Sequence, residues 1–220
     1  MVIAIDGPAG SGKSTIARML AKRLGFKYLD TGAMYRAFTW KVLQSGIDLH
    51  DENSMCKLMG KTVIELKTRE NDVQVFVDGI NVTREIRTPF IANNVHYISE
   101  KAGIRQQMVT LQKNFAIGEN IVAEGRDMCT VVFPQAKYKF FLDAKIEARA
   151  KRRHAESHST QNNSAYAAVV KDMEARDLRD ATRNNSPLIR DSKAIYIDTT
   201  ELAIEEVLHE ILGKITPATT

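Results

Sequence analysis

Long apolar runs are missing from this 220-residue chain. A helix that crosses a bilayer needs ~20 consecutive, mostly apolar residues, and charged and polar side chains break every stretch well short of that. A membrane partner is therefore not expected. The N-terminus has neither the basic start nor the small-residue cleavage site of a secretory signal, so the expected location is the cytoplasm. Cysteine is also scarce. Cys56 and Cys129 stand far apart and outside any CxxC pair, which argues against a disulfide framework and a zinc site and leaves two ordinary reduced thiols. The five histidines have no pairwise metal spacing, and each reads as a surface or satisfied side chain. Aromatics are few and are not interleaved with the late arginines, which lie among aspartates. With a net charge of only +4, this arrangement suits a small polyphosphate better than a nucleic acid. Internal repeats and low-complexity linkers are absent too. A content of 44% hydrophobic and 26% charged residues is that of an ordinary globular domain.

What the chain does have is concentrated first at its start. The apolar run Val2-Ile3-Ala4-Ile5 ends at Asp6 and turns into Gly7-Pro8-Ala9-Gly10-Ser11-Gly12-Lys13-Ser14, the spacing of a phosphate-binding loop. Glycines let consecutive backbone N–H groups point inward around phosphates. Lys13 is placed to reach the β and γ phosphates of a nucleotide, from a crevice expected to be filled with solvent. Ser14 offers a hard oxygen to a magnesium ion. A flexible strand-to-helix connection is the plain alternative. The β-branched run before the loop, and Ile16, Leu20 and Leu24 at helical spacing after it, favour the phosphate site. The expected nucleotide-binding set is Gly7, Pro8, Ala9, Gly10, Ser11, Gly12, Lys13, Ser14 and Thr15, with Ser14 as the metal ligand.

Further along, Phe26–Leu29 reads as a strand ending at Asp30, with Thr31 placed to cap the helix that follows. Strand ends of an open parallel sheet face the ligand crevice, which puts Asp30, Thr31, Tyr35 and Arg36 where a second substrate would lie. Taken singly, Tyr35 reads better as a core aromatic and Arg36 as a solvated helix charge. Val63–Lys67 and Val73–Val77 form an expected hairpin across the polar segment 68–72, with a third strand over Ile80–Thr83, so a small antiparallel sheet interrupts the α/β alternation. Pro89–Phe115 reads as two helices broken near Lys101-Ala102-Gly103, leaving Arg87 and Arg105 near their ends. A short buried strand, Ile121-Val122-Ala123, runs into Glu124-Gly125-Arg126-Asp127, and charges directly after a buried strand belong in the crevice. A helix over Asp143–Ala155 carries Arg149, Arg152 and Arg153. Residues 156–164, polar and aperiodic, fit a short lid. Arg176, Asp180 and Arg183 share one face of the next helix, which a solvated ion-pair row would explain equally well. The tail, Thr216–Thr220, is expected to be disordered.

Together these stretches resemble the bacterial cytidylate kinases over nearly the whole chain. The resemblance is carried by Ile5–Lys13, Leu29–Arg36, Glu85–Thr88, Glu124–Pro134 and Arg176–Asp180. The Gly-Arg-Asp-Met run before Thr-Val-Val-Phe-Pro is far more particular than the loop. It departs from the family at Glu124, where Asp is common, and at Cys129, often Gly.

The resemblance implies an α/β fold: a parallel-sheet P-loop kinase core with helices on both faces, a small antiparallel-sheet insertion in the monophosphate-binding region, and a short lid. In a single domain spanning 1–220, the core would cover about 1–36, 101–148 and 184–214, the insertion about 37–100, and the lid about 149–166. It implies transfer of the γ-phosphoryl group of ATP to CMP or dCMP with Mg2+, by a monomer. Carried over by position, Thr31, Tyr35, Arg36, Arg105, Arg126, Asp127, Arg176, Asp180 and Arg183 make the monophosphate site, with Arg105 and Asp127 reading the base edge. Lys13, Arg126, Arg183 and the lid arginines Arg152 or Arg153 act on the transferred group. Another small acceptor, such as UMP or shikimate, is the nearer alternative. A nucleotide-binding switch or RNA-binding module is the more distant one.

Overall fold

The computed structural model describes residues 1–69, 72–159 and 165–215. In chain order its elements are β1 (Val2–Asp6), α1 (Lys13–Leu24), β2 (Lys27–Asp30), α2 (Thr31–Gln44), α3 (Glu52–Met59), β3 (Ile64–Arg69), β4 (Asp72–Val77), β5 (Ile80–Asn81), α4 (Pro89–Ser99), α5 (Ala102–Phe115), β6 (Ile121–Gly125), β7 (Tyr138–Asp143), α6 (Ile146–Ser159), α7 (Tyr166–Thr182), β8 (Ile195–Asp198) and α8 (Ile204–Lys214). Five strands form one sheet in the order β2-β6-β1-β7-β8, and β3-β4-β5 form a separate antiparallel sheet. The larger sheet is parallel with helices on both faces. The α/β class and the inserted antiparallel sheet are thus as expected.

The chain divides into two compact units. One is Met1–Phe26 with the chain from Val122 onward, and the other is Lys27–Ile121. In the first, β1 pairs with β7 from Ile3 opposite Tyr138 to Asp6 opposite Phe141, and β7 pairs with β8 from Phe140 opposite Ile195 to Asp143 opposite Asp198. Ile3, Ala4, Ile5, Phe140 and Leu142 are wholly buried, which is why these strands read as continuous apolar runs and not as alternating ones. On α1, Lys13, Ile16, Ala17, Leu20 and Ala21 are buried, a stripe at the i, i+3, i+4, i+7 spacing of a helix lying on a sheet. Fully burying one such isoleucine or leucine stabilises the fold by ~1.5–3 kcal/mol. A satellite cluster of Ala150, Val169 and Met173, joined by Ile146 and Val170, packs α6 on α7.

In the second unit, Ala33, Ala37, Val75, Val77, Val82 and Ile86 form a core with Trp40, Ile64 and Leu66 against it. The small sheet and α2 share that core.

Several local expectations shift. Asp30, and not Thr31, caps α2, its carboxylate accepting from the Ala33 N–H at 2.7 Å. Both residue types cap helices; Thr31 is already inside the helix and 4% exposed. α6 begins at Ile146 and continues to Ser159, beyond the expected end at Ala155. Residues 160–164 of the expected lid, residues 70–71 of the hairpin turn and the tail 216–220 lie outside the described residues.

Candidate active site

Among the five strands of the sheet, the order reverses beside β1, where chain neighbours fall on opposite sides. Ligands of such sheets bind outside the strand carboxyl ends at that point, and the loop after β1 and the turn after β6 both start there. Asp6 ends β1 fully buried. It accepts from the Met128 and Cys129 N–H groups at 2.8 Å each. Burial pushes its carboxyl up to about 6 against those two donors, with Asp127 adding to the rise. The segment it grips, Met128–Val132, is a π-helical turn that nothing in the Thr-Val-Val pattern announced. Cys129 is completely buried in it, and burial drives its thiol well above its usual range.

The loop closes on itself. At Gly7, φ is 147° and a Cβ would stand 1.9 Å from the Leu142 carbonyl oxygen, so only glycine fits. The Ser11 hydroxyl donates to the Pro8 carbonyl at 3.1 Å, and Lys13 Nζ donates to the same carbonyl and to Ser11 Oγ. Lys13 is 4% exposed, which corrects the expectation of a solvent-filled crevice: its long side chain folds back onto the Pro8 carbonyl and the Ser11 hydroxyl of its own loop. Burial first, then the Arg126 charge, lowers its ammonium to about 7, against the pull of Glu124. Ser14 is exposed and donates to Glu124 Oε1 at 2.7 Å.

Beyond the turn, Arg126 Nε donates to Asp180 Oδ2 at 2.8 Å, and Arg183 Nη1 lies 3.8 Å from Asp180 Oδ1. Burial would raise the Asp180 carboxyl, but Arg126, Arg176 and Arg183 together hold it below its ordinary value. Arg126, Asp180 and Arg183, predicted from one helix face and one strand end, are thus brought together, with Arg176 acting on the same carboxylate. Asp127 is 3% exposed beside Asp6. Arg152 donates to the Thr199 hydroxyl at 3.1 Å and to the Thr199 and Thr200 carbonyls after β8. Arg153 is exposed and pairs with Glu156 at 3.1 Å.

In the second unit, Arg105 is 4% exposed, donates to the Ser99 carbonyl at 3.0 Å and sits 5.4 Å from the centre of the Tyr35 ring. Stacking a guanidinium on an aromatic face holds both in fixed orientation. Arg36 reaches the Asp30 carboxylate at 3.5 Å.

Two residues next to the loop went unassigned from sequence. Arg149 is 7% exposed and bonded to the loop itself, and Thr199 donates to the Ser11 carbonyl at 3.2 Å. Arg149 shares a helix with Arg152 and Arg153, and spacing alone gave no way to tell which of the three faces the loop.

A glycine loop folded around a buried lysine, with a hydroxyl at the next position and arginines gathered on a neighbouring helix and strand end, defines a P-loop phosphotransferase. The cytidylate kinase family model matches residues 3–217. The chain is 45% identical over 98% of its length to the cytidylate kinase of Oceanobacillus iheyensis, covering 94% of that protein. It is 46% identical over 97% of its length to that of Caldanaerobacter subterraneus, covering 93%. An uncharacterized protein from Eubacterium ventriosum, 13% identical, has the same fold over 99% of both chains with a TM-score of 0.52. The chain belongs to the cytidylate kinase family.

Proposed function

We propose that this chain transfers the γ-phosphoryl group of ATP to CMP or dCMP, giving ADP and CDP or dCDP. Membership in the family carries the reading, supported by the cationic side chains gathered near the loop: Arg126, Arg176 and Arg183 all act on the Asp180 carboxylate. Two polyanions must be brought together for this reaction, and fixed positive charge supplies most of what the reaction needs. A strong general base is not needed, because the second pKa of a phosphate monoester is ~6 and the attacking oxygen is mostly ionised at neutral pH.

In this reading the Gly7–Thr15 loop wraps the donor phosphates. Lys13 exchanges the Pro8 carbonyl for phosphate oxygens, a trade from a dipole to an anion that restores its charge. Arg126, Arg176 and Arg183 take the acceptor phosphate and the charge shared in transfer. Arg152 and Arg153 are proposed to act on the donor side, Arg153 by leaving Glu156. Thr31, Tyr35, Arg36, Arg105, Asp127 and Asp180 are proposed to hold the acceptor, Arg105 and Asp127 reading the cytosine edge. The β3–β5 sheet lies in the segment assigned to monophosphate binding, and the lid is assigned to about 149–166. A magnesium ion fits the hydroxyl of Ser14 with the Glu124 carboxylate behind it, both hard oxygen groups. When bound, it would neutralise phosphate charge there. Action as a cytoplasmic monomer is part of the proposal; among the described residues no helix is long and apolar enough to cross a membrane.

ADP release measured against a panel of CMP, dCMP, UMP and shikimate tests the assignment. CMP and dCMP are expected to turn over far faster than the other two. A preference for UMP or shikimate, or nucleotide binding with no acceptor-dependent turnover, would overturn it.

A further inference from the structure

Arg149 has no part in the transfer just described, yet it is built into the loop that would hold ATP. Its Nε donates to the Ala144 carbonyl at 2.8 Å, and its Nη1 donates both to the Ala9 carbonyl at 3.1 Å and to Asp177 Oδ2 at 2.6 Å. A Cβ placed on Gly10 would stand 3.1 Å from Arg149 Cβ and 3.0 Å from Met173 Cε. Both α6 and α7 therefore press on the loop at Gly10. Asp177 lies on α7 between Arg176 and Asp180, and its charge also favours the charged form of Arg126.

The geometry of the peptide unit gives this contact a consequence. In a trans peptide the carbonyl of one residue and the N–H of the next point in opposite directions. A phosphate-binding loop works only when its N–H groups face the ligand, so its carbonyls must face away and find donors elsewhere. Pinning the Ala9 carbonyl outward orients the Gly10 N–H, at a glycine whose φ of 77° leaves the peptide otherwise free to turn. A guanidinium suits this task because its donors are fixed in one plane; an ammonium on a flexible stem cannot reach three separated acceptors at once.

We propose that Arg149 is a positioning residue for the donor phosphates, with Asp177 as its anchor. The pair turns the Ala9–Gly10 peptide so that its N–H faces the triphosphate, and it ties the loop to α7, the helix that carries Arg176 and Asp180. The proposal rests on the reading of the loop as the ATP site.

The test is Mg·ATP binding by calorimetry and the steady-state KM for ATP and for CMP, on full-length Arg149→Lys, Asp177→Asn and the double variant. Arg149→Lys keeps the charge and can still pair with Asp177 but leaves the Ala144 and Ala9 carbonyls without their donor, a loss of ~1 kcal/mol each. Its melting temperature should therefore fall by no more than ~4–8 °C, and the variant should remain folded. Its ATP affinity should fall by ~10-fold or more, KM for ATP rising much more than KM for CMP, while adenosine binding is unchanged. Asp177→Asn, nearly the same size, should weaken ATP in the same direction, and the double variant should be no worse than Arg149→Lys, as expected when two residues act as one unit. ATP bound equally well by Arg149→Lys and Asp177→Asn as by the parent would overturn the proposal, as would a loss that is equal for ATP and adenosine. Lys13→Met measured alongside separates the two readings. If it loses ATP while Arg149→Lys and Asp177→Asn do not, only the role of Arg149 fails. If it binds ATP normally, the ATP site itself is misassigned.

Discussion

Replacing Lys13 by methionine should stabilise the nucleotide-free protein while disabling it. The side chain is 4% exposed, and its ammonium falls from an ordinary 10.5 to about 7. At ~1.36 kcal/mol per unit, holding the protonated lysine in the folded loop at pH 7 opposes folding by roughly 4 kcal/mol. Against this, methionine leaves the Pro8 carbonyl and the Ser11 hydroxyl without their donor, a loss of ~1 kcal/mol each. The difference is a gain of about 2 kcal/mol, or ~4–8 °C in melting temperature for a chain of this length. Methionine fills nearly the same volume, so cavity effects stay small.

The pH dependence follows from the sign of the shift. Because the folded-state value is the lower one, the unfolded chain holds more protons at this group between pH 7 and 10.5. The penalty is therefore greatest at and below neutral pH and fades as pH rises through that window. Thermal melts of parent and Lys13→Met without nucleotide, from pH 7 to 10, should show the variant ahead at pH 7 and the gap closing with pH. Turnover should fall by a factor on the order of 10² to 10³ or more. A variant that is less stable at pH 7, with a gap that does not move with pH, would refute the idea that the loop holds a frustrated charge for a phosphate to relieve.

Other substitutions probe the neighbouring parts. Asp180→Asn should lower stability by ~1–3 kcal/mol in urea melts at pH 7, since the carboxylate offsets Arg126 and Arg183. The parent's advantage should disappear as pH falls through the depressed Asp180 value, below 3.8. Gly7→Ala should cost more than ~2 kcal/mol, because its Cβ has no room beside the Leu142 carbonyl; a variant as stable as the parent would contradict the loop geometry. Asp127→Ala should reduce kcat/KM for CMP far more than for UMP, since rejection by buried polar groups can reach ~10⁴-fold. Equal losses for both acceptors would make Asp127 a partner in structure only.

How far the sequence could be read depended on whether the deciding interaction was local. The phosphate loop was legible because its glycines, lysine and serine are consecutive, and the helix after it declares itself by Ile16 and Leu20. The inserted sheet was legible from two β-rich segments around a polar turn. Asp30 and Thr31, adjacent and both able to cap, could be separated only by seeing which side chain meets the Ala33 N–H. The end of α6 was misplaced because Glu156–Ser159 offers no apolar stripe to mark a helix. The π-helical turn at Met128–Val132 was hidden for a different reason: its two leading N–H groups are held by Asp6, more than 120 residues earlier in the chain. Lysine is seldom buried, so the withdrawal of Lys13 onto Pro8 ran against every compositional cue.

The central claim is that phosphate moves from ATP onto CMP at this loop, and label transfer tests it most directly. With ATP labelled in its γ-phosphate, CMP and Mg2+, the account predicts label in the β-phosphate of CDP, little in free phosphate, and labelled CDP formed at a rate lower by ~10² or more with Lys13→Met. Label released as free phosphate without labelled CDP, or labelled CDP formed undiminished by Lys13→Met, would contradict it.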